Sequence, residues 1–151
     1  MSSFEVSRGT SIDADPARVH GLIDDFHEWI KWSPWEEVDP NLERTYGGAE
    51  KGVGATYAWK GNRKAGQGSM EITGSAPERI DIGLTFLKPF KADNNISFAM
   101  VPAGGGTEVT WTMSGEQKGL AALFGRFVSM DKLVGKDFEK GLAQLKTAAE
   151  A

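Results

Sequence analysis

The sequence contains no cysteine and only two histidines, His20 and His27. The first absence excludes disulfides and thiolate-based redox or metal chemistry, and the second excludes a metal site built on several imidazoles. His27-Glu28 begins like the HExxH helix of zinc proteases, but Lys31 stands where the second imidazole must lie one turn on. Long apolar runs are missing as well: none nears the roughly 18 residues that span a bilayer. The opening residues, MSSFEVSRG, lack the charged-then-apolar order of a secretion signal. The expectation is a soluble, untargeted, cytoplasmic chain without a membrane span, metal or cofactor.

There is no surplus of basic residues either, since 17 Lys and Arg stand against 21 Asp and Glu for a net charge of −4. The deficit is concentrated between Asp13 and Glu50, where ten carboxylates face only Arg18, Lys31 and Arg44. A phosphate backbone would be repelled there, and no basic stripe with interleaved aromatics occurs elsewhere, so nucleic acid is not expected as a partner. Short catalytic motifs fail one after another. Gly47 and Gly52 have P-loop separation, yet Val53 occupies the lysine position, and Gly66-Gln67-Gly68 runs on to Glu71 where a third glycine is needed. Ser129-Met130-Asp131-Lys132 fits S-x-x-K without its SDN and KTG companions, and no GxSxG occurs.

What remains is 151 residues, 40% hydrophobic and 25% charged, enough for one globular domain spanning 1–151 with a core of its own. Residues 4–13, FEVSRGTSID, alternate Phe4, Val6, Arg8, Thr10 and Ile12 against polar partners, the period-two pattern of a half-buried strand. Asp15-Pro16 then opens a helix carrying Val19, Leu22, Ile23 and Phe26, with the Asp15 side chain available as its cap. A second short helix is expected over His27 to Trp32, stopped before Pro34. After the looser, glycine-rich stretch around TYGGAEKG come five or six strands in succession. Their apolar faces hold Val53, Ala55, Tyr57 and Trp59; Gly68, Met70 and Ile72; Ile80, Ile82, Leu84 and Phe86; Ile96, Phe98 and Met100; and Val109, Trp111 and Met113. The turns fall in GNRKAGQG, SAPER, LKPFKADNN and PAGGGT, which makes an antiparallel meander with one oily and one wet face.

From Gly119 the period becomes helical, through Leu120, Leu123, Phe124, Phe127, Val134, Phe138, Leu142 and Leu145. Gly125, Gly135 and Gly141 interrupt it, each costing about 1 kcal/mol relative to alanine. A break near Ser129 to Asp131 is therefore expected, dividing a short apolar helix from a longer one starting at about Asp131. A curved sheet with one oily face needs a cover, and only the last helix is long enough.

This order, together with IDADPARVHGLIDDFHEWIKWSPW, VGATYAWKGN, GSMEITGSAPERI, GGGTEVTWTM and DKLVGKDFEKGLAQLKTAAE, resembles the START-related, birch-pollen-allergen-like helix-grip superfamily, in its polyketide cyclase/dehydrase-like branch. The resemblance covers nearly the whole chain. It implies an α+β helix-grip fold, a curved antiparallel sheet of about six to seven strands wrapped around a long C-terminal helix, with two short helices after the first strand. It also implies an elongated apolar cavity between sheet and helix. Members of the superfamily bind lipids, hormones, quinones and polyketides, and only some catalyse, so fold alone does not fix function.

Acid-base chemistry in such a cavity needs an inward titratable group, and on the oily strand faces only Tyr57 and Arg8 qualify. Tyr57 reads either as a core tyrosine with a satisfied hydroxyl or as a donor to a ligand carbonyl or enolate. Arg8 reads as an anchor for a ligand carboxylate or as a strand-end residue reaching solvent. His27 is the third candidate for proton transfer. Met70, Met100, Met113 and Met130 would surround one cavity, and flexible thioethers suit variable apolar contents. With Trp35, Tyr57, Trp59, Phe86, Phe98, Trp111 and Phe127 they form the expected ligand-binding set. Three of the five tryptophans fall at 29, 32 and 35; Trp29 and Trp32 read as structural and Trp35 as a rim residue, while Glu36, Glu37 and Asp39 read as solvated. The function expected is binding of a hydrophobic small molecule, with a cyclase, aromatase or dehydratase as the alternative and an acidic protein-docking surface at Glu36 and Glu37 as a third reading.

Overall fold

The computed structural model describes residues 2–36, 39–62, 65–88, 91–117 and 130–151. Alternation at the start of the chain produces β1 (Ser2–Ile12), which pairs antiparallel with the last strand, β7 (Gly106–Gln117), placing Val6 opposite Met113 and Arg8 opposite Trp111. Helix α1 (Pro16–Asp24) follows with proline in its first turn and buries Val19, Leu22 and Ile23. Asp15 occupies the N-cap position, but its side chain makes no capping bond.

The expected second helix is a tighter 3-10 helix over Phe26–Lys31, capped by the Asp25 carboxylate, which accepts from the His27 backbone N–H at 2.9 Å. Three residues per turn bring positions i and i+3 nearly into line. Trp29 and Trp32 consequently lie with ring centroids 4.5 Å apart, both fully buried, and their indoles donate to the Ile23 and Leu22 carbonyls at 2.8 Å each. Two large side chains with their single polar atoms satisfied by α1 are structural elements.

Six strands then run as a meander: β2 (Glu43–Gly48), β3 (Ala55–Lys60), β4 (Gln67–Ala76), β5 (Arg79–Lys88), β6 (Ala92–Ala103) and β7. The sheet order β1-β7-β6-β5-β4-β3-β2 is fully antiparallel and has seven strands. Strand β2 lies inside the stretch expected to be loose; it is short, mostly exposed and glycine-ended, so it lacks the apolar alternation that betrays a strand. Val53 does not join Ala55, Tyr57 and Trp59 on the inner face, because it sits in the turn before β3 and is exposed.

The C-terminal helix, α2 (Met130–Glu150), lies in the curve of the sheet, chiefly along β1, and buries Phe138, Leu142 and Leu145. The Phe138 ring stacks on Trp111 at 4.1 Å with 9° between planes. Gly141 lets the helix come this close, since a Cβ there would lie 2.8 Å from both the Trp111 ring and Pro34. At the helix end, Arg18 of α1 donates to the Ala149 and Ala148 carbonyls at 2.9 and 3.1 Å, satisfying acceptors the last turn leaves open. The architecture is an α+β helix-grip fold. The short apolar helix expected over about 119–127, with Phe127, lies outside the described residues.

Candidate functional site

One end of the space between sheet and α2 is packed solid. Trp111 stacks between Phe98 at 4.9 Å and Phe138, and Trp29 and Trp32 meet both Phe98 and Trp111 edge-on. Phe98 and Trp111 are completely buried in this cluster, Met100 is completely buried in the core, and none of the three lines the cavity. Beyond this cluster, toward the other end, a cavity of about 300 Å³ remains.

Its sheet wall follows from strand alternation. Tyr57 and Trp59 stand two apart on β3, Met70 faces inward from β4, Leu84 and Phe86 from β5, and Met113 from β7. Trp29 closes the inner side, Val134 and Asp137 project from α2, and the segment after the 3-10 helix contributes Ser33, Trp35 and Glu36. Trp59 is fixed by donation of its indole N–H to the Ala65 carbonyl at 2.8 Å, with its ring laid over Gly68, where a Cβ would be 2.6 Å away. Of the ligand-binding set expected from sequence, the structure therefore brings together Trp35, Tyr57, Trp59, Met70, Phe86 and Met113. Phe127 lies outside the described residues, as does the side chain of Met130, the first residue of α2.

Of the proposed proton-transfer residues, only Tyr57 borders the cavity. The Arg8 guanidinium turns to the flank of α2, where its Nε donates to Glu139 Oε2 at 2.9 Å. His27 is half-exposed on the outside, 2.7 Å from Asp25 Oδ1 and stacked on Tyr46 at 4.2 Å.

The segment that read as solvated supplies the polar part of the site. Glu36 is buried, and its Oε2 lies 2.6 Å from Arg44 Nε while its Oε1 accepts from the Tyr57 hydroxyl at 3.3 Å. The surface pair with Glu37 expected for protein docking is thus not formed by Glu36, and Glu37 lies outside the described residues. Asp39 is also buried, its two oxygens accepting from the backbone N–H groups of Asn41 and Asn62 at 2.8 Å each, which ties this segment to the β3–β4 turn. Glu36 finds its reason only once β2 is placed: Arg44 is opposite Trp59 in the β2–β3 pairing, hence on the same face, and a cation there needs an anionic partner. Asp137 was missed because the helical periodicity was followed only through apolar positions, yet it lies three residues after Val134 on the same side. Its Oδ2 accepts from the Trp35 indole at 3.1 Å, joining the rim segment to α2.

Burial, and then the Glu36 charge, push the Tyr57 phenol far above its ordinary range, and the same two causes raise Tyr46. Tyr57 is accordingly a neutral donor at any physiological pH. The hydrogen bond to Glu36, together with its charge, raises the Arg44 guanidinium in turn against the opposing cost of burial. Chemically the arrangement offers an apolar, aromatic chamber with one phenolic donor, one ion-paired carboxylate and one carboxylate held by an indole.

A second grouping resembles a nucleophilic triad and is not one. Ser75 donates to Asp24 Oδ1 at 2.7 Å, and His20 Nε2 lies 3.2 Å from the same hydroxyl and 4.0 Å from the same carboxylate. One imidazole nitrogen faces both groups, whereas a triad needs the acid on the far nitrogen. The cluster fastens α1 to the end of β4. Among the described residues no group of three or more His, Cys, Asp or Glu side chains could hold a metal ion, and no helix is long and apolar enough to cross a membrane.

Comparison with known proteins agrees with the fold. A family model described as polyketide cyclase/dehydrase and lipid transport matches residues 1–150. Similar folds include a Chromobacterium violaceum protein, 15% identical with a TM-score of 0.70 and 97% of each chain covered. A major latex-like protein from Panax ginseng is 13% identical with a TM-score of 0.69, 99% of each chain being covered. The Aha1 dimer of Colwellia psychrerythraea is 17% identical with a TM-score of 0.69, covering 97% of this chain and 96% of its own. No functionally curated protein matches the sequence.

Proposed function

The chain belongs to the polyketide cyclase/dehydrase and lipid transport family, and from that premise we propose that it binds a hydrophobic small molecule, lipid-, aromatic- or polyketide-like, between the sheet and α2. The observation that carries this reading is the cavity of about 300 Å³ walled by Trp, Tyr, Phe, Leu and Met side chains in a fold whose other end is fully packed. That volume is at the lower bound of small-molecule sites, and apolar walls with few polar groups are their usual composition. A chain with no use for the space would be expected to close it, because each lost contact costs stability.

Native mass spectrometry of freshly purified protein tests the proposal. A mass excess released on denaturation and identified as an apolar molecule supports it, and protein free of adduct that also takes up no apolar dye contradicts it.

A second reading is an enzyme of cyclase, aromatase or dehydratase type in the same chamber. It is supported by the position of Tyr57 on the cavity wall, where its hydroxyl, turned from Glu36, could donate to a ligand carbonyl or enolate. Folding a reactive chain needs mainly orientation, so a sparse site suffices. Tyr57→Phe separates the readings: a carrier keeps its ligand and has no turnover to lose, whereas the enzyme keeps ligand affinity and loses product formation.

A further inference from the structure

Charge is distributed unevenly around the cavity. Two carboxylates border it, Glu36 and Asp137, and among the described residues no lysine or arginine does. Glu36 has its counter-ion in Arg44 at 2.6 Å, which stands behind it and is occupied by it. Asp137 is different. The hydrogen bond that it accepts at Oδ2 comes from the neutral Trp35 indole, at the edge of an apolar chamber.

The aromatic groups facing the chamber have the same preference. Tyr57 and Trp59 are near-parallel, 21° apart with centroids at 6.3 Å, and Phe86 stands perpendicular to Trp59 at 5.8 Å. Trp35 closes the side next to Asp137, to which it is bonded. Ring faces carry negative quadrupole potential, and several of them beside a carboxylate make a setting that favours a cation desolvated from water. An anionic headgroup would meet the opposite field, and a neutral one would gain only a hydrogen bond.

Resting on the reading of this chamber as a ligand site, we propose that it selects an apolar or aromatic molecule bearing one protonated amine. The ammonium is seated against Asp137 and the faces of Trp35 and Tyr57, and the apolar body lies along Met70, Leu84 and Met113.

The test is calorimetric binding of three matched compounds to the full chain at neutral pH and low salt: phenethylamine, phenethyl alcohol and phenylacetate. The amine is expected to bind about tenfold tighter than the alcohol, and the carboxylate most weakly. Asp137→Asn should erase the gap between amine and alcohol, because the amide keeps the shape and removes the charge. Alcohol binding as tight as amine, or a gap that survives in Asp137→Asn, overturns the proposal while leaving the chamber as a hydrophobic site. If neither the three compounds nor a neutral dye such as Nile red binds, the ligand-site reading fails and takes this proposal with it. Should Asp137→Asn not fold by circular dichroism, the order of the three compounds on the unaltered protein decides alone.

Discussion

Glu36 shows how one buried charge organises its surroundings. Its carboxylate holds the Arg44 guanidinium and accepts from Tyr57, so the segment after Pro34, strand β2 and strand β3 meet at one side chain. Removing the cation strands the anion. Arg44→Met is expected to cost about 2–3 kcal/mol, below the value for a fully buried pair because Arg44 is partly exposed. Urea unfolding measures it, and a cost near zero would mean that water already solvates Glu36. Tyr57 makes a pH-dependent prediction. Its folded phenol titrates above the unfolded one, so the folded state holds its proton more tightly and stability is complete below the ordinary phenol range. As pH rises from about 9 to 11 the unfolded chain loses protons first, and melting temperature should fall. Tyr57→Phe should flatten much of that slope, leaving the part due to Tyr46; an unchanged slope would show that Tyr57 is reached by solvent.

At the scale of elements, α2 carries two interior glycines that local propensity counts as defects, and only packing explains them. Gly141 fits between Pro34 and the Trp111 ring, and a side chain at Gly135 would run into the Arg8 guanidinium. Gly141→Ala gains about 1 kcal/mol of helix propensity and should nevertheless lower the melting temperature, since overpacking a filled core costs about 1–3 kcal/mol. A rise in melting temperature would show that α2 can move off the sheet. The alternating strands, β1 and β3 to β7, were legible in sequence because each has one more buried and one wetter face, Val53 alone being assigned to β3 in error. Strand β2 was not, since its polar, glycine-ended sequence pairs by backbone bonds without burying an apolar row. The second short helix was legible from its Pro34 stop, but not its 3-10 form, because the tryptophan spacing of three suits either kind of helix.

For the whole molecule, the order of strand, helices, meander and long helix was legible because each junction carries its own signal, Asp15-Pro16 at one end and the change of period after β7 at the other. The cavity was half legible. Its apolar wall follows from strand alternation and could be listed as inner-face residues, but alternation does not say where packing ends. Phe98, Met100 and Trp111 share a face with Met113 and still lie in solid core, because Trp29, Trp32 and Phe138 fill that end. The polar rim was hidden for a different reason: Glu36 comes from an irregular segment without a periodic signature, and Asp137 is a polar residue at the margin of a helical stripe whose signal is apolar. The central claim is that the space left open beside this core takes up an apolar molecule. Titrating a neutral fluorescent probe such as Nile red into the native protein and into Met70→Trp, which fills the chamber from β4, tests it most directly. The account predicts binding by the native protein and at least about a tenfold loss in the filled variant with its melting temperature retained; equal binding by both, or none by the native chain, would contradict it.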